Sequence, residues 1–194
     1  MASVKGDLID RLVDEGARLL VAEGLGGLSL RKVAAAAGVS TMPVYTLFGD
    51  KRGLLAAMHR EAFRRLGAAL AAAGPADDPL QHLGLLGFAY RQSALDGPHL
   101  YALMFGQVFA ELPADEDGRA AADAAYLPLV DGVRAAQTAG ILAEGDPEPV
   151  ALHLWAVAHG MVSLEINGHL PALGDPADMY AIALNNAIQP FLRM

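Results

Sequence analysis

Between Ser29 and Leu55 the chain is punctuated so closely that it admits only short helices joined at sharp angles. Ser29 is placed to cap a helix whose Leu30, Val33 and Ala34 form an apolar stripe, and Ala37-Gly38-Val39 supplies the turn that ends it. Gly38 falls where a helix must close in the left-handed conformation, and Val39 can plug the angle to the next helix. Ser40 is placed to cap that second helix. Pro43, at its third position, costs no intrahelical bond and leaves the Ser40 hydroxyl the Met42 N–H. The spacing turns Val44, Leu47 and Phe48 inward and leaves Thr41, Met42, Pro43 and Thr46 exposed, with Tyr45 and Lys51 pointing outward. Gly49 ends the helix. Asp50 caps the next, which starts at Lys51 and carries Leu54, Leu55 and Met58 as its buried stripe. This is the grammar of a helix-turn-helix that enters DNA.

Charge agrees with a nucleic-acid partner only when the chain is divided. The whole has a formal net charge of -8, which argues against one, but residues 1–65 hold ten of the 14 Lys and Arg and seven of the 22 Asp and Glu, a net of +3. The remainder stands at -11. From 29 to 65 the basic side chains are Arg31, Lys32, Lys51, Arg52, Arg60, Arg64 and Arg65, against Asp50 and Glu61. An acidic second half is expected to repel DNA and so orient the first.

Gly38-Val39-Ser40 followed by Tyr45, Phe48, Lys51 and Leu54-Leu55, with an amphipathic helix before them, resembles the DNA-binding domain of the TetR family of bacterial transcription regulators. Thr46-Leu47 departs from the aromatic or histidine pair common before the Phe, and Arg52-Gly53 from the acidic pair common after the Lys. Operator contacts at those positions are therefore not carried over.

The rest of the chain reads as all-α. No run of β-branched and aromatic residues alternates with polar ones as a half-buried strand does. The first helix is expected over Asp7 to Glu23, stopping at Gly24, and the fourth from Lys51 toward Ala73, closed by Gly74-Pro75. Asp78-Pro79, Asp146-Pro147 and Asp175-Pro176 each combine a capping acid with a proline at the first helical position. Gly97-Pro98 opens a short helix to Phe105, and Glu116 to Gly140 reads as a long helix interrupted near Pro128. Two domains are expected, a helix-turn-helix domain over 1–65 and a helical domain over 66–194. The absence of cysteine excludes thiol chemistry. No apolar run approaches the ~18 residues of a membrane span, and nothing at the start reads as a signal peptide. No membrane partner and a cytoplasmic location are expected.

The last helices, at 147–167 and 176–192, are broadly apolar through Ala151, Leu154, Val157, Ala158, Met161 and Leu164, and through Ile182, Ala183, Leu184, Ala187 and Ile188. The resemblance implies that they pair with their copies in a homodimer, which sets two recognition helices about 34 to 36 Å apart. Phe88, Tyr90, Tyr101, Met104, Phe105, Phe109, Tyr126 and Trp155, with Arg91, Gln92, His99 and His159 as polar handles, form either ordinary core or the lining of a ligand chamber. The resemblance favours a chamber for an unidentified small-molecule effector.

Catalytic and metal readings fail on spacing. His153 and His159 are six apart, Glu165 and His169 straddle a helix end at Gly168, and Asp115-Glu116-Asp117 lacks the spaced acids of a calcium loop. No phosphate-binding glycine loop or nucleophile elbow is present, and no cofactor is indicated. The reading is a ligand-responsive regulator, a repressor rather than an enzyme, on a palindromic double-stranded operator. Ser29, Arg31, Lys32, Ser40, Tyr45 and Lys51 position it on phosphates, and Thr41, Met42, Pro43 and Thr46 meet base edges and thymine methyls. A helical protein-interaction module, and behind it an all-α enzyme, are the alternatives.

Overall fold

The computed structural model describes residues 2–106, 115–170, 172 and 174–193, with side chains from residue 6 onward. Phe109 lies outside the described residues. The described chain is all-α: α1 (Ala2–Gly27), α2 (Leu30–Ala36), α3 (Thr41–Phe48), α4 (Lys51–Ala72), α5 (Pro79–Asp96), α6 (Pro98–Phe105), α7 (Glu116–Thr138), α8 (Pro147–Ile166) and α9 (Pro176–Ile188), then a 3-10 turn over Gln189–Phe191. It divides into two compact units, Met1–Arg65 with Gly97–Asp123, and Leu66–Asp96 with Ala124–Met194. A single cut after residue 65 thus misses one exchange: α6 joins the N-terminal unit, because Leu100 and Leu103 complete the core built by α1 to α4.

In the first unit, α1 begins before Asp7 and breaks at Gly24 (φ 67, ψ -179), where the sequence places the stop. Ser29 caps α2 by accepting the Lys32 N–H at 3.3 Å. The turn after α2 is a Schellman closure: the Val39 N–H reaches the Ala34 carbonyl at 2.9 Å and the Gly38 N–H the Ala35 carbonyl at 3.1 Å. It requires φ 68 at Gly38, a conformation that a Cβ would strain. Val39 packs, half-buried, against the core. Ser40 has the extended backbone of a cap, but its hydroxyl makes no capping bond, contrary to the expected Met42 contact. At the other end, Gly49 closes α3 and the Asp50 carboxylate accepts the Gly53 N–H at 2.9 Å, starting α4.

The core of this unit holds Leu12, Val13, Leu20, Leu28, Val33, Val44, Phe48, Leu54, Leu55 and Met58. Across it, Arg65 of α4 reaches Asp14 of α1 at 2.5 Å and Glu61 at 2.8 Å, tying the two longest helices of the unit side by side.

In the second unit the three Asp-Pro starts form as read. Asp78, Asp146 and Asp175 accept the N–H groups of Leu80, Glu148 and Ala177 at 3.0, 3.1 and 2.8 Å. The expected break at Pro128 is absent, and α7 continues through it. Proline there removes only the bond to the Ala124 carbonyl, on an exposed residue that water can reach. The last helix stops at Ile188 rather than Leu192, because Pro190 has no N–H to extend it. The chain then returns as an antiparallel clasp, with the Ala143 N–H donating to Phe191 at 2.9 Å and the Arg193 N–H to Ile141 at 2.9 Å. Contrary to the sequence reading, α8 is long and apolar enough to cross a membrane by length and composition. His153, His159 and Ser163 break every consecutive apolar run, but the average over the helix stays high. Its Val150, Ala151, Leu154, Ala158 and Val162 pack inside the unit.

The start of α4 carries a steric requirement. A Cβ on Gly53 would lie 2.0 Å from the Phe48 carbonyl oxygen, a backbone atom that cannot swing aside. Gly53→Ala, which in an open helix would gain ~1 kcal/mol in propensity, is expected here to destabilise by about 1–3 kcal/mol and to weaken DNA binding. Urea unfolding checks it, and unchanged or raised stability would show that the α3–α4 junction relaxes freely.

Glu61 gives a pH signature. Burial alone would raise its pKa, but hydrogen bonds from Arg64 (2.5 Å) and Arg65 (2.8 Å) outweigh burial and hold it below the usual glutamate value. A depressed folded pKa stabilises above the unfolded value, and that contribution is lost as pH falls through the folded one. Glu61→Gln should lower stability at neutral pH and flatten its decline on acidification, read from midpoints of denaturation across pH.

Candidate nucleic-acid interface

Val44 and Phe48 anchor α3 on the core, 0% and 9% exposed, and this decides which of its residues face out. Thr41, Met42, Tyr45 and Thr46 are exposed, as the spacing predicts, whereas Pro43, expected to be exposed as well, is half-buried. Met42 is 74% exposed, an unusual position for a large apolar side chain on a folded surface. Thr46 donates its hydroxyl proton to the Met42 carbonyl at 2.9 Å. The Ser40 hydroxyl, unused by the helix, stands exposed at the end of α3 that carries unpaired backbone N–H groups.

The basic side chains divide into two sets. Arg31 and Arg52 are exposed and form no ion pair with a described residue. Lys32 is exposed but pairs with Glu23. Lys51 does not point outward as expected: half-buried, it donates to the Leu25 carbonyl, which the break at Gly24 leaves beyond the regular part of α1. Arg60 pairs with Asp115 at 2.6 Å, Arg64 with Glu61, and Arg65 with Glu61 and Asp14. Five of the seven cations counted from the sequence are thus engaged within the unit, and for those held by Glu23, Leu25, Asp14 and Asp115 spacing gave no sign of it, because these partners are remote in the chain. Arg52, absent from the residues chosen for phosphate contact, is as available as Arg31. Ser29, half-buried, uses its oxygen on the Lys32 N–H.

The aromatic and polar residues grouped as a chamber fall in both units. His99, Tyr101, Met104 and Phe105 belong to the first unit, where Tyr101 is 5% exposed, Phe105 packs edge-on against Phe63 and Tyr101, and Met104 lies against the core. His99 is exposed. The others belong to the second unit. There the Tyr90 hydroxyl and His159 Nδ1 hydrogen-bond at 3.1 Å, and burial holds His159 below the usual histidine range. Arg91 grips Glu165 with two bonds of 2.7 and 2.5 Å, both side chains 14% exposed, and its guanidinium lies 5.8 Å from the Tyr180 ring centre. Tyr180, fully buried, donates to the Gly87 carbonyl at 2.8 Å, and Phe88 packs edge-on against it. Tyr126 and Trp155 are in contact at 5.6 Å, and Gln92 is exposed, bonded to Asp96. Neither Glu165, weighed in the sequence only as a metal ligand beside His169, nor Tyr180 was grouped with these residues, since their roles here arise only from packing.

Residues 12–58 match the bacterial regulatory proteins of the tetR family, and residues 83–187, more than half of the chain, match the tetracyclin repressor-like C-terminal domain. No curated protein matches the sequence. Among solved structures, a protein of unknown function from Rhodococcus sp. RHA1 is 30% identical, with 96% of each chain covered and a TM-score of 0.82. A TetR family transcription regulator from Marinobacter aquaeolei VT8 is 17% identical, with 100% of both chains covered and a TM-score of 0.80. A TetR family transcriptional regulator from Thermus thermophilus is 19% identical, covering 92% of this chain and 97% of its own, with a TM-score of 0.73. Likeness at these last identities concerns the fold. The helix-turn-helix geometry of α2 and α3 and the two family matches, one over each part of the chain, agree: the chain belongs to the TetR family and is a transcriptional regulator with an N-terminal DNA-binding helix-turn-helix and a C-terminal helical domain.

Proposed function

We propose that this regulator is a homodimeric, cytoplasmic repressor that holds a palindromic operator through α3 and releases it when a small molecule binds its C-terminal part. The observation that carries the reading is the pairing of a buried back on α3, Val44 and Phe48, with an outer face left open to solvent at Thr41, Met42, Tyr45 and Thr46. Arg31 and Arg52, with Ser40 and Tyr45, supply the phosphate contacts, and Lys32 joins them by exchanging Glu23 for a phosphate. Lys51 acts chiefly by pinning the start of α4 to α1. Operator reading is assigned to the helices within residues 1–65, and effector binding and dimerisation, within 66–194, to the unit formed by Leu66–Asp96 and Ala124–Met194.

Support for self-association comes from apolar side chains left outside the second unit's core: Leu152 is 55% exposed, Leu164 43% and Ile182 60%. They lie on α8 and α9, and exposed apolar area on adjacent helices favours a partner surface. Effector binding is assigned to the second unit, around Phe88, Arg91, Tyr126, Trp155 and His159. Tyr101, Met104 and Phe105 serve as core. Because α4 runs unbroken from Lys51 to Ala72, a displacement of its last turns is carried to its first. An effector that binds the DNA-free form ~100-fold better shifts the equilibrium by about 2.7 kcal/mol, enough to clear an operator held near threshold.

Selection from random duplexes should yield an inverted repeat with half-sites about one helical turn apart, bound less tightly as salt rises. Arg31→Ala and Arg52→Ala should each reduce the log-log salt slope by roughly 1 per contact, whereas Arg64→Ala should leave it unchanged. Equal slopes for all three variants would sink the division of the cations. Ile182→Glu should convert the dimer to monomer in sedimentation while leaving the helical content intact, and a wild-type monomer at micromolar concentration would refute the dimer.

A further inference from the structure

Met42 and Thr46 lie one turn apart on the exposed side of α3 and are chemically linked. A hydroxyl has one proton, and Thr46 gives its own to the Met42 carbonyl at 2.9 Å. What Thr46 then offers an incoming base edge is a lone pair and a methyl group. Met42, 74% exposed, adds a flexible apolar arm with no donor. Thr41 to Phe48 contains no Arg, Lys, Asn or Gln, so this helix has none of the side chains that grip guanine or adenine by paired hydrogen bonds. In the major groove the complement of an apolar arm is the C5-methyl of a pyrimidine, and the complement of a lone pair is an exocyclic amino group.

We propose that the Met42–Thr46 pair reads a C5-methyl group together with an exocyclic amino donor, so that operator binding depends on the methyl state of a pyrimidine. This rests on the DNA-reading role of α3 proposed above. A T·A pair satisfies both contacts through the thymine methyl and the adenine 6-amino group. A C·G pair supplies an amino group and no methyl. A 5-methylcytosine·G pair supplies both, on the same edge. Thymine and 5-methylcytosine are therefore accepted at the contacted position, and uracil and cytosine are not. Burial of one methyl-sized group corresponds to about fourfold in affinity, compounding to roughly fifteenfold when both half-sites change.

The experiment takes the full chain and the duplex obtained by selection, and replaces each thymine in turn by deoxyuridine at fixed salt. At the sensitive position, T·A is also changed to C·G with and without a C5-methyl, and the paired adenine to purine, which lacks the amino group. The expected result is about fourfold weaker binding on uracil and recovery of about fourfold when the cytosine is methylated. Met42→Ala, a change at a surface residue that the fold does not need, should bind the thymine and uracil duplexes equally. Thr46→Val should lose the roughly fivefold penalty of removing the amino group. Equal wild-type affinity for thymine and uracil at every position, with sequence-specific binding intact, overturns the inference and leaves the DNA reading standing. A uracil penalty that persists in Met42→Ala overturns the assignment to this pair. No sequence-specific binding at all overturns both.

Discussion

An eight-residue helix has too few internal hydrogen bonds to persist in water, so α3 exists only where the core holds it. Val44 and Phe48 supply the hold, each burial contributing ~1.5–3 kcal/mol, and the same two residues fix the rotation of the helix about its axis. Everything the protein can present to DNA follows from that rotation. The two ends then set its direction: the Schellman turn at Gly38 at one end, and Gly49, Asp50 and the close approach of Gly53 to the Phe48 carbonyl at the other. The outer residues are free to vary chemically because none of them carries the fold.

Charge is arranged by the same logic of separated duties. Arg65 spans Asp14 and Glu61, and Arg60 meets Asp115, so the cations farther along α4 hold the first unit together. Lys51 and Lys32 secure the end of α1, through the Leu25 carbonyl and Glu23. Of the cations between residues 29 and 65, those left to the solvent, Arg31 and Arg52, sit on the first turns of α2 and α4, flanking α3 in sequence. A surface with few unpaired cations gives a modest, salt-sensitive hold on phosphate, and so leaves a larger share of discrimination to the base-reading residues.

The sequence was informative wherever structure is decided locally. Caps at Ser29, Asp50, Asp146 and Asp175, the left-handed turn at Gly38 and the alternation of buried and exposed residues on α3 each depend on neighbours within one turn, and each is found as read. It was less informative where a helix end or a partner depends on distant residues. Pro128 fails to break α7 because the helix around it is held by packing, and Lys51 turns inward because a carbonyl twenty-six residues earlier is available. Tyr101, Met104 and Phe105 fall in one unit and Phe88 and Trp155 in the other, a division the sequence does not show, because helical periodicity marks a residue as buried but not which core it enters.

The second unit has to position helices whose facing surfaces are rich in Leu, Val and Ala, residues that can slide by a turn with little penalty. Arg91 and Glu165 cannot. Both are largely withdrawn from water, so separating them would leave an uncompensated charge on each side, and their two parallel hydrogen bonds accept one register of α5 on α8. The Tyr90–His159 bond, about two turns of α8 earlier, and the Tyr180 bond to Gly87 repeat the constraint. With its register fixed by polar pairs on one side, α8 can carry exposed Leu152, Ala156 and Leu164 on another without losing its place. This reconciles a helix apolar enough for a membrane with a DNA-binding protein: one side meets its own core, and in the proposed dimer the other meets a second copy.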